Sequence, residues 1–162
     1  MLKSIKRMKP LLGTYVEISL IANKPRQELL ELSRQMFTEI RNIHTLMSFH
    51  DAESELSKIN LNAFNKKITI SKDMQFVLRK SLEISKLSEG AFDISVADVL
   101  VENSYLPNHF DFTPDPSACW QDIMLTQDHV KFNKQMIIDL GGIAKGYAVD
   151  KALNIYKSKD ID

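Results

Sequence analysis

The chain has 162 residues, 44% of them hydrophobic and 26% charged, enough for a packed core and ordinary for a globular protein. Its 21 basic residues balance 21 acidic ones, so net charge gives no footing for nucleic acid or an anionic membrane; its one cysteine, Cys119, excludes an internal disulfide. No apolar run approaches the ~20 residues a bilayer span needs, and basic Met1–Pro10 lacks the apolar stretch of a leader, so the expected location is the cytoplasm.

Gly13–Ala22 alternates Thr14, Val16, Ile18 and Leu20 with Tyr15, Glu17, Ser19 and Ile21, which predicts a strand. Pro25 suits the first turn of a helix predicted to run to Met47. Its apolar stripe is Leu29, Met36, Phe37, Ile40, Ile43 and Met47. Ser48–Asn60 is polar and turn-rich, with a short helix expected near its end. Ile68 and Ile70 fall in a short strand. Ser71 is a predicted N-cap for a second long helix, Lys72 to Leu87, with Phe76, Val77, Leu78, Leu82, Ile84 and Leu87 expected inward. Gly90 is expected to end it at the C′ position.

Residues 103–119 hold three of the five prolines and no periodicity, and so read as a surface loop. Three β-prone runs follow, Ile123–Leu125, Val130–Phe132 and Met136–Leu140, and predict a meander. Gly141-Gly142 ends the last run, and a helix is expected from Ala144 to Lys157. With no linker, the chain reads as one domain over residues 1–162. Its class is α+β: a mainly antiparallel sheet with two long helices.

Four segments are candidates for chemistry. Asp139–Asp150, DLGGIAKGYAVD, follows a predicted strand and opens a helix. Its glycines let a ligand approach the backbone, the first helical amides suit a phosphate, Lys145 adds charge, and Asp139 can accept from a base or ribose. It is equally a tight β–α turn, and it matches neither the Walker pattern nor the dinucleotide fingerprint. GAFDISV, Gly90–Val96, is either a ligand clamp built on Asp93 or a capped helix end with Asp93 as the next N-cap. LGTY, Leu12–Tyr15, is a glycine at a strand start. SFHDAESELSKIN, Ser48–Asn60, is a polar loop with Ser54 and Glu55 capping a short helix. The four histidines share no metal spacing, and no catalytic residue is assignable.

In order and spacing these four segments resemble the ApbE family of FAD:protein FMN transferases, over nearly the whole chain. The resemblance implies an α+β, T-fold-related architecture and a cleft that binds FAD with Mg2+ at its pyrophosphate. The implied reaction is transfer of FMN to a threonine or serine of a target flavoprotein, with release of AMP. It puts Leu12, His50, Ala91, Phe92, Asp93 and Asp139 at FAD-contacting positions, Lys145 in the adjacent binding turn, and Gly142 where a backbone carbonyl holds the metal. Leu12 stands where a methionine is usual, and His50 where a stacking aromatic is usual.

Family chains continue for about as many residues again, and carry there a second glycine-rich turn and an Asp and Thr that bind Mg2+. This chain is therefore expected to be the N-terminal portion of such a domain. Two alternatives are a non-catalytic FAD-binding remnant and a half-domain completed by a complementary C-terminal chain. A homo-oligomer is expected to cover the open sheet edge.

Overall fold

The computed structural model describes residues 1–158. The elements in order are β1 (Lys3–Leu11), β2 (Thr14–Ala22), α1 (Arg26–Met47), α2 (Glu55–Asn62), β3 (Ile68–Thr69), α3 (Lys72–Leu87), α4 (Ala97–Glu102), β4 (Ile123–Leu125), β5 (His129–Phe132) and α5 (Ala144–Lys157). The class is α+β, and every strand pairing is antiparallel: β1 with β2, and β5 between β3 and β4. Among the described residues, no helix is long and apolar enough to cross a membrane. The chain divides into two compact units, Met1–His44 with Lys145–Asp162, and Thr45–Ala144.

The first unit holds a hairpin whose strands pair from Lys3↔Ala22 to Leu11↔Thr14, leaving a two-residue loop. Leu12 (φ 58°) and Gly13 (φ 69°) are both left-handed, which makes this a type I′ turn, the one whose twist matches the strands. Ile5, Leu11, Ile18, Leu20 and Ala22 are buried, with the stripe Leu29, Leu32, Met36, Phe37, Ile40 on α1 and Ala148 and Ala152 on α5. Strand β1 was not expected from the sequence, because its inward positions include Arg7 and Lys9. Their stems run inward and their charges lie over the Phe37 ring, 5.6 and 4.8 Å from its centroid. Arg7 Nη1 also donates to Ser33 Oγ at 2.7 Å.

In the second unit, α2 and α3 begin at the serine caps the sequence indicates. Ser54 Oγ accepts from the Ser57 N–H, and Ser71 Oγ from the Met74 N–H. Glu55 reaches further than its own helix: it accepts from both the N–H and the Oγ of Ser71, joining the start of α2 to the start of α3. The buried stripe of α3 is Met74, Val77, Leu78, Ser81 and Ser85. Phe76, Ile84 and Leu87, expected inward, are exposed, with Leu87 84% so. At 100° per residue they form a second face, and two serines occupy the inward one.

Gly90 sits one position beyond the expected C′. The Gly90 N–H donates to Ser85 O and the Glu89 N–H to Lys86 O, a Schellman pair that puts Glu89 (φ 52°) at C′ and Gly90 (φ 86°) after it.

The meander is corrected in its third strand. Strand β5 pairs with β4 and β3, and Met136–Leu140 is in no strand among the described residues, although Met136, Ile137, Ile138 and Leu140 are buried. Part of its backbone hydrogen bonding is supplied by a side chain: Asn60 occupies both polar groups of Ile138. Helix α4, too short for a period to show, was also not expected.

Candidate functional site

Of the candidate residues, Leu12 and Lys145 belong to the first unit; His50, Ala91, Phe92, Asp93, Asp139 and Gly142 belong to the second. Within the second unit, the segments around Asp93 and Asp139 meet. The Asp139 N–H donates to Ile94 O at 2.8 Å. The Phe92 ring lies against the glycine turn so closely that a Cβ on Gly142 would sit 3.2 Å from its Cε2. A side chain there would need the ring to give by a few tenths of an ångström.

The Asp139 carboxylate folds back on its own turn: Oδ2 accepts from the Gly141 N–H at 2.9 Å. Among the described residues, Oδ1 has no hydrogen-bond partner and the Gly142 N–H donates to none. The turn thus leaves one acceptor and one donor without a protein partner among the described residues. The amides expected to face a phosphate are partly spent, since the Ile143 and Ala144 N–H groups both turn back to Leu140 O, at 3.0 and 2.8 Å. Gly142 itself is exposed.

Asp93 is occupied within the protein. Oδ1 accepts from the Ser95 N–H and Oγ at 2.8 and 2.7 Å, and Oδ2 from the Trp120 N–H at 3.3 Å. It is not the N-cap of α4; that position is Val96, which has no side-chain cap bond. Its carboxylate ties the Asp93–Ser95 turn to Trp120, and so steadies the end of the Ala91–Asp93 loop. Ser88 continues that work, its carbonyl accepting from the Ala91 N–H and its Oγ from the Phe92 N–H. Ala91 is exposed and Phe92 half-buried.

His50 is exposed in the turn after α1, and no hydrogen bond or ring contact among the described residues joins it to the other two segments. Its neighbour Phe49 is buried and packs edge-on to Phe110, with centroids 5.8 Å apart. In the first unit, Leu12 holds a left-handed backbone at the hairpin tip, and Lys145 is exposed in the first turn of α5. A left-handed leucine is strained, and such strain concentrates at binding sites.

Two residues of the second unit, not singled out from the sequence, shape this site. Trp120 supplies the amide to Asp93, and its Nε1 lies 3.4 Å from where a Gly90 Cβ would be. Nothing in its surroundings in the sequence marks it. Asn60 ends the SELSKIN motif, and its position there was the available signal.

A profile of the ApbE family matches residues 12–162. The chain belongs to the ApbE family. It is 32% identical to the FAD:protein FMN transferase of Haemophilus influenzae over 69% of this chain and 37% of that protein. Against the FAD:protein FMN transferase of Vibrio cholerae the identity is 21%, over 94% of this chain and 49% of the relative. Among solved structures, the ApbE protein of Thermotoga maritima matches with a TM-score of 0.83 and 25% identity, covering 98% of this chain and 54% of that one. The flavin transferase ApbE of Vibrio cholerae matches with a TM-score of 0.85 and 20% identity, covering 99% and 55%. The chain therefore has the ApbE fold over its own length and spans about half the length of these relatives.

Proposed function

We propose that this chain carries the nucleotide-holding part of an FAD:protein FMN transferase. The observation that supports this best is the meeting of Ala91–Asp93 with Asp139–Gly142, in a chain of the ApbE family whose relatives bear that name. On this reading Asp139 Oδ1 accepts from the FAD base or ribose, and the Gly142 N–H faces an acceptor of the same nucleotide. Phe92 and Ala91 form an apolar wall beside them, and His50 contributes from the remaining motif of the same unit.

The reaction proposed is attack of a threonine or serine hydroxyl of a target flavoprotein on the FMN phosphorus of FAD. One O–P bond forms, the pyrophosphate P–O bond breaks, the hydroxyl proton leaves and AMP departs. Mg2+ in this chemistry neutralises the pyrophosphate and improves the leaving group. The described residues do not by themselves make a site for it. Among them no three His, Cys, Asp or Glu side chains cluster, and the Gly142 carbonyl is the one ligand the resemblance offers, against near-octahedral oxygen coordination. On this reading the described residues hold and orient the nucleotide, and a second copy of the chain or a complementary chain supplies the metal ligands.

The test has two stages. Titration of the 162-residue chain with FAD is expected to show weak, saturable binding that Asp139→Ala lowers at least tenfold. In-gel flavin fluorescence of a target protein incubated with FAD and Mg2+ then reads transfer. Binding without labelling is the expected result for the chain alone; labelling restored by a complementary chain separates the enzyme reading from a non-catalytic FAD-binding protein. Absence of FAD binding, or an Asp139→Ala variant that binds unchanged, overturns the reading.

A further inference from the structure

We propose that Asn60 is a positioning residue for the Asp139–Gly142 turn, acting as a one-residue strand partner made from a side chain. The proposal rests on the reading that this turn binds FAD, and deepens it.

Asn60 is 1% exposed. Its Nδ2 donates to Ile138 O at 2.9 Å, and its Oδ1 accepts from the Ile138 N–H at 2.9 Å, across 78 positions of sequence. That is the pair of bonds a neighbouring strand would supply, and no strand supplies them to Met136–Leu140 among the described residues. The next residue, Asp139, is held on its N–H by Ile94 O at 2.8 Å. Two successive residues are thus pinned from different elements, and the turn whose carboxylate and open amide face the ligand begins immediately after them.

A hydrophobic grip alone would fix the depth of Ile138, but not the rotation of the chain about its own axis. The bidentate amide fixes that rotation, and with it the direction of the Asp139 carboxylate. Helix α2, which carries Asn60, is itself anchored at its other end through Glu55 to Ser71.

The chemistry of the clamp is specific. It needs a donor and an acceptor side by side at the reach of asparagine. Ionised aspartate has two acceptors, and one of them would face the Ile138 carbonyl. Protonated aspartic acid restores the donor–acceptor pair at nearly the same geometry. Burial and the opposing carbonyl both disfavour the charged form, so the pKa of an aspartate placed there is raised. Its neutral, clamp-competent form prevails below that raised pKa and is lost as pH rises through it. Among the described residues, the groups bonded around this point are the Ile138 backbone and the Ile94 carbonyl, neither of which titrates.

The experiment is FAD titration of wild type, Asn60→Asp and Asp139→Ala across a pH series, at a temperature where each is folded. Val77→Ala, a core truncation on α3, serves as a stability control. The readout is the ratio of the variant's FAD dissociation constant to that of wild type at each pH. For Asn60→Asp the expected ratio is tenfold or more at neutral pH and falls toward one as pH is lowered; for Val77→Ala it is one throughout, with a lower Tm.

An Asn60→Asp ratio near one at every pH, with only Tm reduced, makes Asn60 a merely structural residue and overturns the proposal. Should Asn60→Asp not fold at neutral pH, Asn60→Ser makes the same comparison there: it is neutral and too short for both bonds, and a wild-type dissociation constant for it is equally fatal. If wild type binds no FAD, or Asp139→Ala binds normally, the failure lies with the site reading. Amide hydrogen exchange without FAD then judges the clamp alone. Faster exchange at Ile138, Asp139 and Gly141 in Asn60→Asp at neutral pH, reversed on acidification, upholds it, and unchanged exchange refutes it.

Discussion

Replacing Gly141 by alanine should destabilise the protein, although Gly→Ala substitutions at unstrained positions usually do the reverse. Gly141 does not adopt a left-handed backbone, so by itself the change would add about 0.4–1 kcal/mol by reducing the freedom of the unfolded chain. The obstacle is local. A Cβ at position 141 would lie 2.8 Å from Asp139 Oδ2, closer than such atoms approach. The carboxylate has to swing away, and what held it there is the 2.9 Å bond from the Gly141 N–H. A bond to a charged group contributes about 1.5–3 kcal/mol. The difference is a net loss of about 1 kcal/mol, or about 2–4 °C in Tm for a chain of this size.

On the proposed reading of the site, the displaced carboxylate also leaves its direction toward FAD. The cost of one misaimed hydrogen bond, about 1.4 kcal/mol, weakens FAD binding about tenfold. Gly146→Ala is the matched control, because no atom lies within 4 Å of its Cβ position and it sits inside α5. It should gain about 0.5–1 kcal/mol. Calorimetric melts and FAD titration of both variants measure the contrast. If Gly141→Ala is as stable as Gly146→Ala and binds FAD like wild type, the Asp139–Gly141 bond constrains nothing and the account of the turn is wrong.

Two further substitutions test other joints. Leu12→Asn creates Asn-Gly in a type I′ turn and removes a left-handed leucine, so the denaturation midpoint should rise by the equivalent of about 0.5–1 kcal/mol while FAD affinity falls; a lowered midpoint would mean that the leucine side chain packs for more than its strain costs. Ser71→Ala removes both the α3 cap and the hydroxyl bound to Glu55, and should cost about 2 kcal/mol by urea titration; a loss of about 1 kcal/mol, that of a cap alone, would show that the Glu55 contact adds nothing.

The sequence by itself determined the elements that obey a local period or carry a local cap. The stripe Leu29 to Met47, the alternation Thr14 to Leu20, and the serines at 54 and 71 each set an element through residues at most a few positions apart, and the structure has those elements where the pattern puts them. The bond from the Gly141 N–H to Asp139 likewise joins residues two positions apart. What only the tertiary structure decided depends on partners far along the chain. Strand β1 hides in a basic segment because Arg7 and Lys9 find a ring on α1 to lie against. Met136–Leu140 is β-prone and buried, yet whether it pairs with a strand or a side chain depends on what arrives beside it, and what arrives is Asn60, 78 positions earlier. The Asp93 carboxylate bonds Ser95 two positions on, but also Trp120, 27 positions on. A buried backbone group must be satisfied by some partner, and local propensity carries no information about which distant residue provides it.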